Sequence, residues 1–316
     1  MAQDILFEHF DLLAETPGGV QKLRELILQL AVQGRLVPQY PNEEPASVLL
    51  ERIKEEKERL VKEGKIKKQK PLPEIEPEEV PFELPGGWEW VRLGDISEIN
   101  GGFAFKSSEY TNDGVRVIRI SDFDEKGFKD DNIVRYWFSE NLRSFKIEEG
   151  NILMAMTGGT VGKSLLVKKL PVAMVVNQRV AIIKIIDGIV PEYINSLIRT
   201  NLIQDIIQTT KNSTNDNISM RDITNFKVSL PPTSEQQRIV AKVDQLIALC
   251  DVLEAKKEKQ QTAHTRLNKS ALYALRESKN NDELTANWSR VNKSFPHLFT
   301  TPESIQELRS TILQLA

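Results

Sequence analysis

The stretch from Thr157 to Ser164 is the part of the sequence closest to a chemical motif, since two glycines precede a Gly-Lys-Ser triplet. A phosphate-binding P-loop has the pattern G-x-x-x-x-G-K-S/T between a strand and a helix, because the helix N-terminus must face the phosphate. Here Thr157 stands where the first glycine is required, and residues 165–167 continue as a predicted strand. Because of these two departures from the pattern, a P-loop-like nucleotide-binding enzyme is the less favoured alternative function. Two readings of the loop stay open: a turn whose N–H groups and Lys163 meet a nucleic-acid phosphate, and a purely structural turn.

Residues for other chemistry are sparse. His9, His264 and His297 are far apart, without cysteine or carboxylate neighbours at metal-ligand spacing, so we predict no metal site. The sequence lacks the G-x-S-x-G, H-E-x-x-H and G-x-G-x-x-G patterns of common catalytic and dinucleotide sites. Cys250 is the single cysteine, which excludes a disulfide framework and fits a reducing compartment. We therefore predict no catalytic residue and no cofactor in this chain.

Composition allows one substantial core with helical extensions. The 316 residues are 40% hydrophobic and 28% charged, and the net charge is −3. A net negative charge gives no overall signal for nucleic acid, so any such surface must be a local patch. The N-terminus lacks the basic and long apolar regions of a secretion signal, and no apolar run is long enough to span a membrane. We expect a cytoplasmic protein.

The elements that must position these residues form a mixed α/β (α+β) domain with long coiled-coil-like helices. Apolar periodicity predicts helices over residues 18–34 and 46–63, and the prolines after residue 70 predict an extended linker. The domains are expected at 1–80 (helices and linker), 81–232 (globular), 233–280 (long helix) and 281–316 (linker and start of a repeat). Within 81–232, one helix is predicted over 193–208. Strands are predicted over 88–93, 115–120, 151–156, 163–167, 179–186 and 226–230.

One long helix is predicted from Thr233 to about Leu275. Thr233-Ser234-Glu235-Gln236 fits the T-x-x-Q capping box, and the apolar positions follow the four-three spacing of a coiled-coil seam. A helix of roughly 43 residues spans about 65 Å and should pair with another helix. The seam residues that we expect at a dimer or partner-helix contact are Ile239, Val243, Leu246, Cys250, Leu253, Leu267 and Ala271.

The C-terminal residues repeat the N-terminal ones at an offset of 285 positions. Twelve residues recur, from Phe10, Leu13, Thr16, Pro17, Gln21, Leu23, Arg24, Ile27, Leu28, Gln29, Leu30 and Ala31 to Phe295, Leu298, Thr301, Pro302, Gln306, Leu308, Arg309, Ile312, Leu313, Gln314, Leu315 and Ala316. Such repetition normally marks a tandem structural unit. The chain is thus interpreted as one complete unit and the opening of a second.

Several short motifs together resemble the DNA specificity subunit of type I restriction-modification systems. They are residues 84–96 (LPGGWEWVRLGDI), 102–107 (GFAFKS), 217–219 (NIS), 230–232 (LPP) and 235–240 (EQQRIV). The resemblance implies a target recognition domain over 81–232 and a spacer helix that docks a methyltransferase subunit. It also implies no activity of the chain itself. S-adenosylmethionine and ATP are expected on the partner methyltransferase and restriction subunits.

The family has two recognition domains, whereas this sequence shows one. A half-subunit could restore the twofold arrangement as a homodimer through its spacer helices and read a symmetric, interrupted site on double-stranded DNA. Loops on a sheet scaffold are the usual place for base contacts. We predict a DNA-facing set of Lys106, Ser107, Arg119, Thr157, Thr160, Lys163, Asn177, Gln178, Arg179, Asn212, Thr214, Asn215 and Asn217. Arg, Asn and Gln would read bases, and Lys, Ser and Thr would hold phosphates.

A helical adaptor that binds protein partners is the alternative function. For each residue of the DNA-facing set a structural role also stays open: Gln178-Arg179 could hold a strand edge, and Asn215-Asp216-Asn217 could serve a turn.

Overall fold

The computed structural model describes residues 10–210 and 216–315. The chain divides into two compact units, Met1–Ile247 and Ala248–Ala316. The mixed class of helices and sheets with one long helix is confirmed. The helices are α1 (Phe10–Glu15), α2 (Gly19–Val32), α3 (Ala46–Lys62), α4 (Pro191–Ile198), α5 (Asn201–Thr210), α6 (Met220–Thr224), α7 (Thr233–Arg276), α8 (Asn281–Lys293), α9 (Phe295–Leu298) and α10 (Pro302–Leu315). None of the described helices is long and apolar enough to cross a membrane.

Four small sheets lie in the first unit, in the strand orders β2-β10-β7-β8, β6-β3-β9, β1-β11 and β4-β5. Their strands are β1 (Glu89–Arg92), β2 (Ser97–Gly101), β3 (Val115–Ile118), β4 (Phe123–Asp124), β5 (Gly127–Phe128), β6 (Val134–Tyr136), β7 (Ile152–Ala155), β8 (Ser164–Leu166), β9 (Met174–Val176), β10 (Val180–Ile185) and β11 (Lys227–Leu230). The six predicted strands are all present, with ends trimmed by one or two residues. Short strands such as β2 were missed because they lack a clear apolar alternation.

The centre of the first unit is the antiparallel pair β7 and β10, in register Val180↔Ala155. Every residue of β7 is buried, and so are the first four of β10. Strands covered on both faces read as continuous apolar runs, which is why both segments were predicted well. Ile118, Phe123, Leu165 and Val176 join the same core cluster.

The helix predicted over residues 193–208 is wrong as a single element, because the chain forms α4 and α5 instead. The break falls at the buried Thr200, whose hydroxyl donates to the Leu197 carbonyl at 2.6 Å. A threonine that bonds the backbone three residues earlier competes with continued helix, and this local competition is invisible to apolar periodicity.

The long helix α7 begins where predicted, but the predicted capping box is wrong. The Thr233 hydroxyl donates to the Gly188 carbonyl at 2.9 Å instead of capping its own helix. The Gln236 side chain accepts from the Val190 N–H at 2.9 Å and donates to the Pro231 carbonyl at 2.9 Å. The first turn of α7 is therefore held by tertiary hydrogen bonds within the first unit.

The N-terminal residues of the predicted seam do not lie at a surface that a second copy could contact, because they are buried within their own chain. Ile239, Val243 and Leu246 are 1%, 4% and 3% exposed, and Cys250 is also buried. A second copy would not find these side chains at the surface. Heptad spacing identifies an apolar stripe but not its partner, and here the chain itself covers the stripe.

The remaining seam positions behave differently from one another. Leu253 is half-buried, and Leu267 is 62% exposed. Ala271 packs against a small cluster of the second unit, formed by Leu272, Leu275, Val291, Phe299 and Leu308. Of the seven predicted seam residues, Leu267 alone is exposed.

The two repeats adopt similar local structure. The first forms α1 and α2, and the second forms α9 and α10. Residues 281–293, expected to be linker, form α8, whose N-cap Asn280 accepts from the Glu283 N–H at 2.9 Å. Most of its residues are polar, but Val291 and Leu284 pack in the apolar cluster of the second unit, so both the N-cap and this packing support the helix.

Candidate nucleic-acid interface

Three segments of the predicted DNA-facing set meet at one end of the β7–β10 pair. The Met156 N–H donates to the Arg179 carbonyl at 2.9 Å, and the Ile218 N–H donates to the Met156 carbonyl at 2.9 Å. The Gly158 N–H donates to the Asp216 carbonyl at 2.7 Å. We call residues 156–163, 177–179 and 216–218 the recognition edge. Backbone hydrogen bonds thus fix the positions of loops that are distant in sequence.

A second sheet ends at the same place. Strands β3 and β9 are parallel, and the residues that follow them meet because the Asn177 N–H donates to the Ile118 carbonyl at 3.0 Å. The Phe103 loop joins this point, since the Gln178 N–H donates to the Phe103 carbonyl at 2.9 Å. A Cβ on Gly102 would lie 2.0 Å from the Asn177 carbonyl oxygen. Only glycine permits this close approach of two backbones.

The recognition edge presents an exposed turn at residues 177–180. The Val180 N–H donates to the Asn177 carbonyl at 3.0 Å, and the Asn177 Oδ1 accepts from the Arg179 N–H at 3.1 Å. Asn177 is only 9% exposed, and its side chain stabilises the turn. Gln178 and Arg179 are exposed, as is Asn217 on the neighbouring segment. The structure therefore assigns Asn177 a structural contact and leaves the other three accessible.

Arg119 is bound within the protein. Its Nε and a terminal nitrogen contact the two carboxylate oxygens of Asp122 at 2.8 and 2.9 Å, and it also donates to the Asn132 carbonyl at 2.7 Å. Hydrogen bonding to Asp122 raises the pKa of Arg119. Since Asp122 is 3% exposed, the pair anchors the loop after β3. The prediction that Arg119 reads bases does not fit these contacts, and the i,i+3 spacing to Asp122 was the signal that could have shown it.

The loop from Thr157 to Lys163 is a tight hairpin between β7 and β8. The Gly162 N–H donates to the Ala155 carbonyl at 2.9 Å, and the Lys163 N–H donates to the Thr160 carbonyl at 3.0 Å. Gly162 has a φ of 85°, a conformation that favours glycine. Because strand β8 follows Lys163 directly, the loop does not lead into the α-helix whose N-terminus holds the phosphate in a P-loop. The geometry removes the main support for the nucleotide hypothesis.

The hydroxyls of Thr157 and Thr160 point inward. Both Oγ1 atoms are buried and have no hydrogen-bond partner among the described residues. Lys163 is half-buried at the end of the loop. Of the loop residues in the predicted set, Lys163 is thus the one with a long cationic side chain that can extend toward a phosphate.

Lys106 and Ser107 do not join the recognition edge. Lys106 pairs with Glu109 at 3.4 Å, and Glu109 accepts a hydrogen bond from the Tyr136 hydroxyl. Tyr136 pairs with Val115, which is the opposite end of β3 from Ile118. The sequence could not show this separation, because the loop after β2 passes along the sheet before it reaches Lys106.

Asn212, Thr214 and Asn215 lie outside the described residues and remain predictions. Among the residues that the structure describes, no group of three or more His, Cys, Asp or Glu side chains could hold a metal ion.

Comparison with known proteins adds a consistent set of matches. A family model described as "Type I restriction modification DNA specificity domain" matches residues 85–263. The chain is 38% identical to the type I restriction enzyme EcoAI specificity subunit of Escherichia coli over 313 residues, which cover 94% of this chain and 51% of that protein. The EcoEI specificity subunit of Escherichia coli is also 38% identical, over 316 residues, with the same coverage of both chains.

A solved structure, the HsdS subunit from Thermoanaerobacter tengcongensis, matches 75% of this chain and 51% of that one, with 20% identity and a TM-score of 0.46. The chain spans about half the length of the curated relatives it matches.

Proposed function

Because this chain belongs to the family of type I restriction modification DNA specificity domains, we propose that it is a non-catalytic subunit that recognises DNA sequence through the recognition edge. One observation supports the assignment to this edge. Backbone hydrogen bonds join the segments that carry Gln178, Arg179 and Asn217 at one end of a buried sheet, and the three side chains are exposed there. Guanidinium and amide groups form bidentate hydrogen bonds with base edges in the major groove. Rigid strands behind them limit the conformations available to these side chains.

Each residue at the edge then has a distinct role. Arg179 fits guanine, which offers two acceptors, and Gln178 or Asn217 fits adenine, which offers a donor and an acceptor. Lys163 fits a phosphate, which positions the protein without reading sequence. Asn177 and the Arg119–Asp122 pair hold the edge in shape, as their internal hydrogen bonds favour.

The chemistry of restriction and modification belongs to other subunits in this proposal. The relatives are named as specificity subunits of restriction enzymes. A methyltransferase subunit that binds S-adenosylmethionine and an ATP-dependent restriction subunit would act at the site that this chain selects. The proposed recognition domain comprises residues 81–232, and α7 serves as the spacer.

Two copies of the chain are proposed to read a split, symmetric site. One recognition domain contacts one half-site, and a twofold protein arrangement matches a palindrome with an unread gap.

The test is selection of bound sequences from a random duplex pool, with the methyltransferase subunit present. Enrichment of two short motifs at a fixed separation is the expected result. A pool without enriched sequence would contradict DNA reading and favour a protein-binding adaptor. Saturable ATP binding that is lost in Lys163→Ala would instead favour the nucleotide hypothesis.

A further inference from the structure

The proline-rich segment before β1 is held against the first unit by side-chain hydrogen bonds. The buried Arg92 donates from Nε to the Pro73 carbonyl at 2.7 Å and from a terminal nitrogen to the Glu74 carbonyl at 3.1 Å. We call residues 66–75 the strap. Because Arg92 belongs to β1, the strap is fixed beside that strand.

Helix α3 is fixed to the same region from another side. The Lys57 ammonium donates to the Gly94 carbonyl at 2.6 Å and to the Ser97 carbonyl at 3.3 Å. A groove of about 1150 Å³ lies between α3, the strap and β1, and we call it the strap groove. Typical small-molecule sites have volumes of about 300–1,000 Å³. The strap groove therefore has room for a segment of polypeptide.

The floor of the strap groove is apolar. Ile66, Leu72 and Ile75 of the strap line it together with Trp90 of β1, and all four side chains are half-buried. Side chains of this kind gain stability when a partner removes their remaining surface from water. The floor thus favours an occupant that carries apolar side chains.

The walls of the strap groove are basic, although the whole chain has a net charge of −3. Six lysines line the groove against four carboxylates. Five of these lysines are exposed, and none of the five forms an ion pair with another described residue: Lys54, Lys62, Lys67, Lys68 and Lys70. Complementary charge around an apolar centre selects binding partners. The walls thus favour an occupant that carries carboxylates.

The position of the groove argues against nucleic acid as this occupant. Ser97, which accepts from Lys57, is the first residue of β2, whereas Gly101 at the other end of β2 precedes the loop that meets the recognition edge. A strand of this length separates the two sites by roughly 15 Å. Protein–DNA interfaces are also more polar than this floor.

We propose that the strap groove binds an acidic, amphipathic segment of a partner protein. The apolar side chains of the segment cover Ile66, Leu72 and Trp90, and its carboxylates pair with the strap lysines. This docking surface is separate from the residues that read DNA.

The experiment is selection from a random peptide display library by the full chain. The test variant is Lys67→Glu with Lys68→Glu, and the matched control is Lys168→Glu with Lys169→Glu, since both pairs are consecutive exposed lysines of the first unit. Wild type and control should enrich peptides that combine apolar residues with Asp or Glu. The test variant should not enrich them.

Anisotropy titration of one enriched peptide then measures both parts of the groove. The test variant should raise its Kd on the order of 10-fold through lost charge pairing, and Ile66→Ala should raise it on the order of 10-fold through lost apolar contact. Equal helix content by circular dichroism controls for folding.

Three results would overturn the proposal. The first is a library without enriched acidic and apolar peptides, or enriched peptides that bind the test variant as tightly as wild type. The second is a loss of duplex binding in the test variant but not in the control, which would assign the lysines to nucleic acid. The third is self-association that only the test variant loses, which would assign the groove to a second copy.

Discussion

Removing the Arg119 side chain should weaken the fold and leave the choice of bases intact. In the sequence, Arg119 and Arg179 are both candidates to read bases. In the structure, Arg119 holds the buried carboxylate of Asp122 through two hydrogen bonds, whereas Arg179 is exposed on a turn. The pair of variants Arg119→Ala and Arg179→Ala therefore compares an anchoring arginine with a reading arginine.

The expected loss of unfolding free energy in Arg119→Ala depends on which hydrogen bonds Asp122 retains. Its carboxylate loses two charge-assisted hydrogen bonds but retains the Ser121 hydroxyl at 2.8 Å and the backbone N–H of residue 119 at 3.0 Å. Complete loss of a partner for a buried charge costs about 3–5 kcal/mol, and partial compensation brings the estimate to about 2 kcal/mol. With an unfolding entropy of about 2.1 cal/mol/K per residue, the melting temperature of a 316-residue chain should fall by about 3 °C.

Differential scanning calorimetry measures this loss, with Arg179→Ala as the control. Arg179→Ala should change the unfolding free energy by less than about 0.5 kcal/mol, as is usual for an exposed side chain. An Arg119→Ala protein that melts like wild type, or an Arg179→Ala protein that melts well below it, would refute the assignment of the two roles.

Three further predictions follow from single side chains. Lys163→Ala should weaken binding to all duplexes and reduce the salt slope by about 1, measured by anisotropy titrations against the exposed control Lys168→Ala, which should change neither. Burial raises the pKa of Glu235. The stabilising contribution of this carboxyl group is therefore complete below about pH 4.3 and is lost as pH rises through the folded pKa. The unfolding free energy of Glu235→Gln, measured by urea unfolding, should depend less on pH, and a profile identical to that of wild type would contradict this prediction. Leu246→Glu should lower the unfolding free energy by about 3 kcal/mol or more, because Leu246 is buried in its own chain. A Leu246→Glu protein that is as stable as wild type but no longer self-associates would contradict this and support the predicted dimer contact at Leu246.

The core of the fold was readable from sequence because its strands are buried on both faces. The continuous apolar runs of β7 and β10 indicate buried strands, and each strand was predicted within one residue at both ends. The division of residues 193–208 into two helices was not readable, because it depends on one threonine hydroxyl and a buried environment.

The candidate site was only partly readable for a related reason. Composition places Gln178 and Asn177 equally well in a DNA-facing loop, yet one is exposed and the other stabilises a turn. Lys106 and Arg119 do not belong to one cluster. The position of the Lys106 loop along the sheet and the burial of the carboxylate that binds Arg119 both depend on tertiary structure, which the sequence pattern does not show. Similarly, the seam of α7 was recognised as apolar, but spacing could not show that its own chain covers it.

The recognition edge is tested most directly by repeating the duplex selection with Arg179→Ala beside wild type. If the exposed turn reads bases, the wild-type motif should persist in the variant except at one position in each half, where discrimination worth about 1–3 kcal/mol should disappear. An identical motif from both proteins, or an equal loss at every position, would contradict the claim that Arg179 and its neighbours read the sequence.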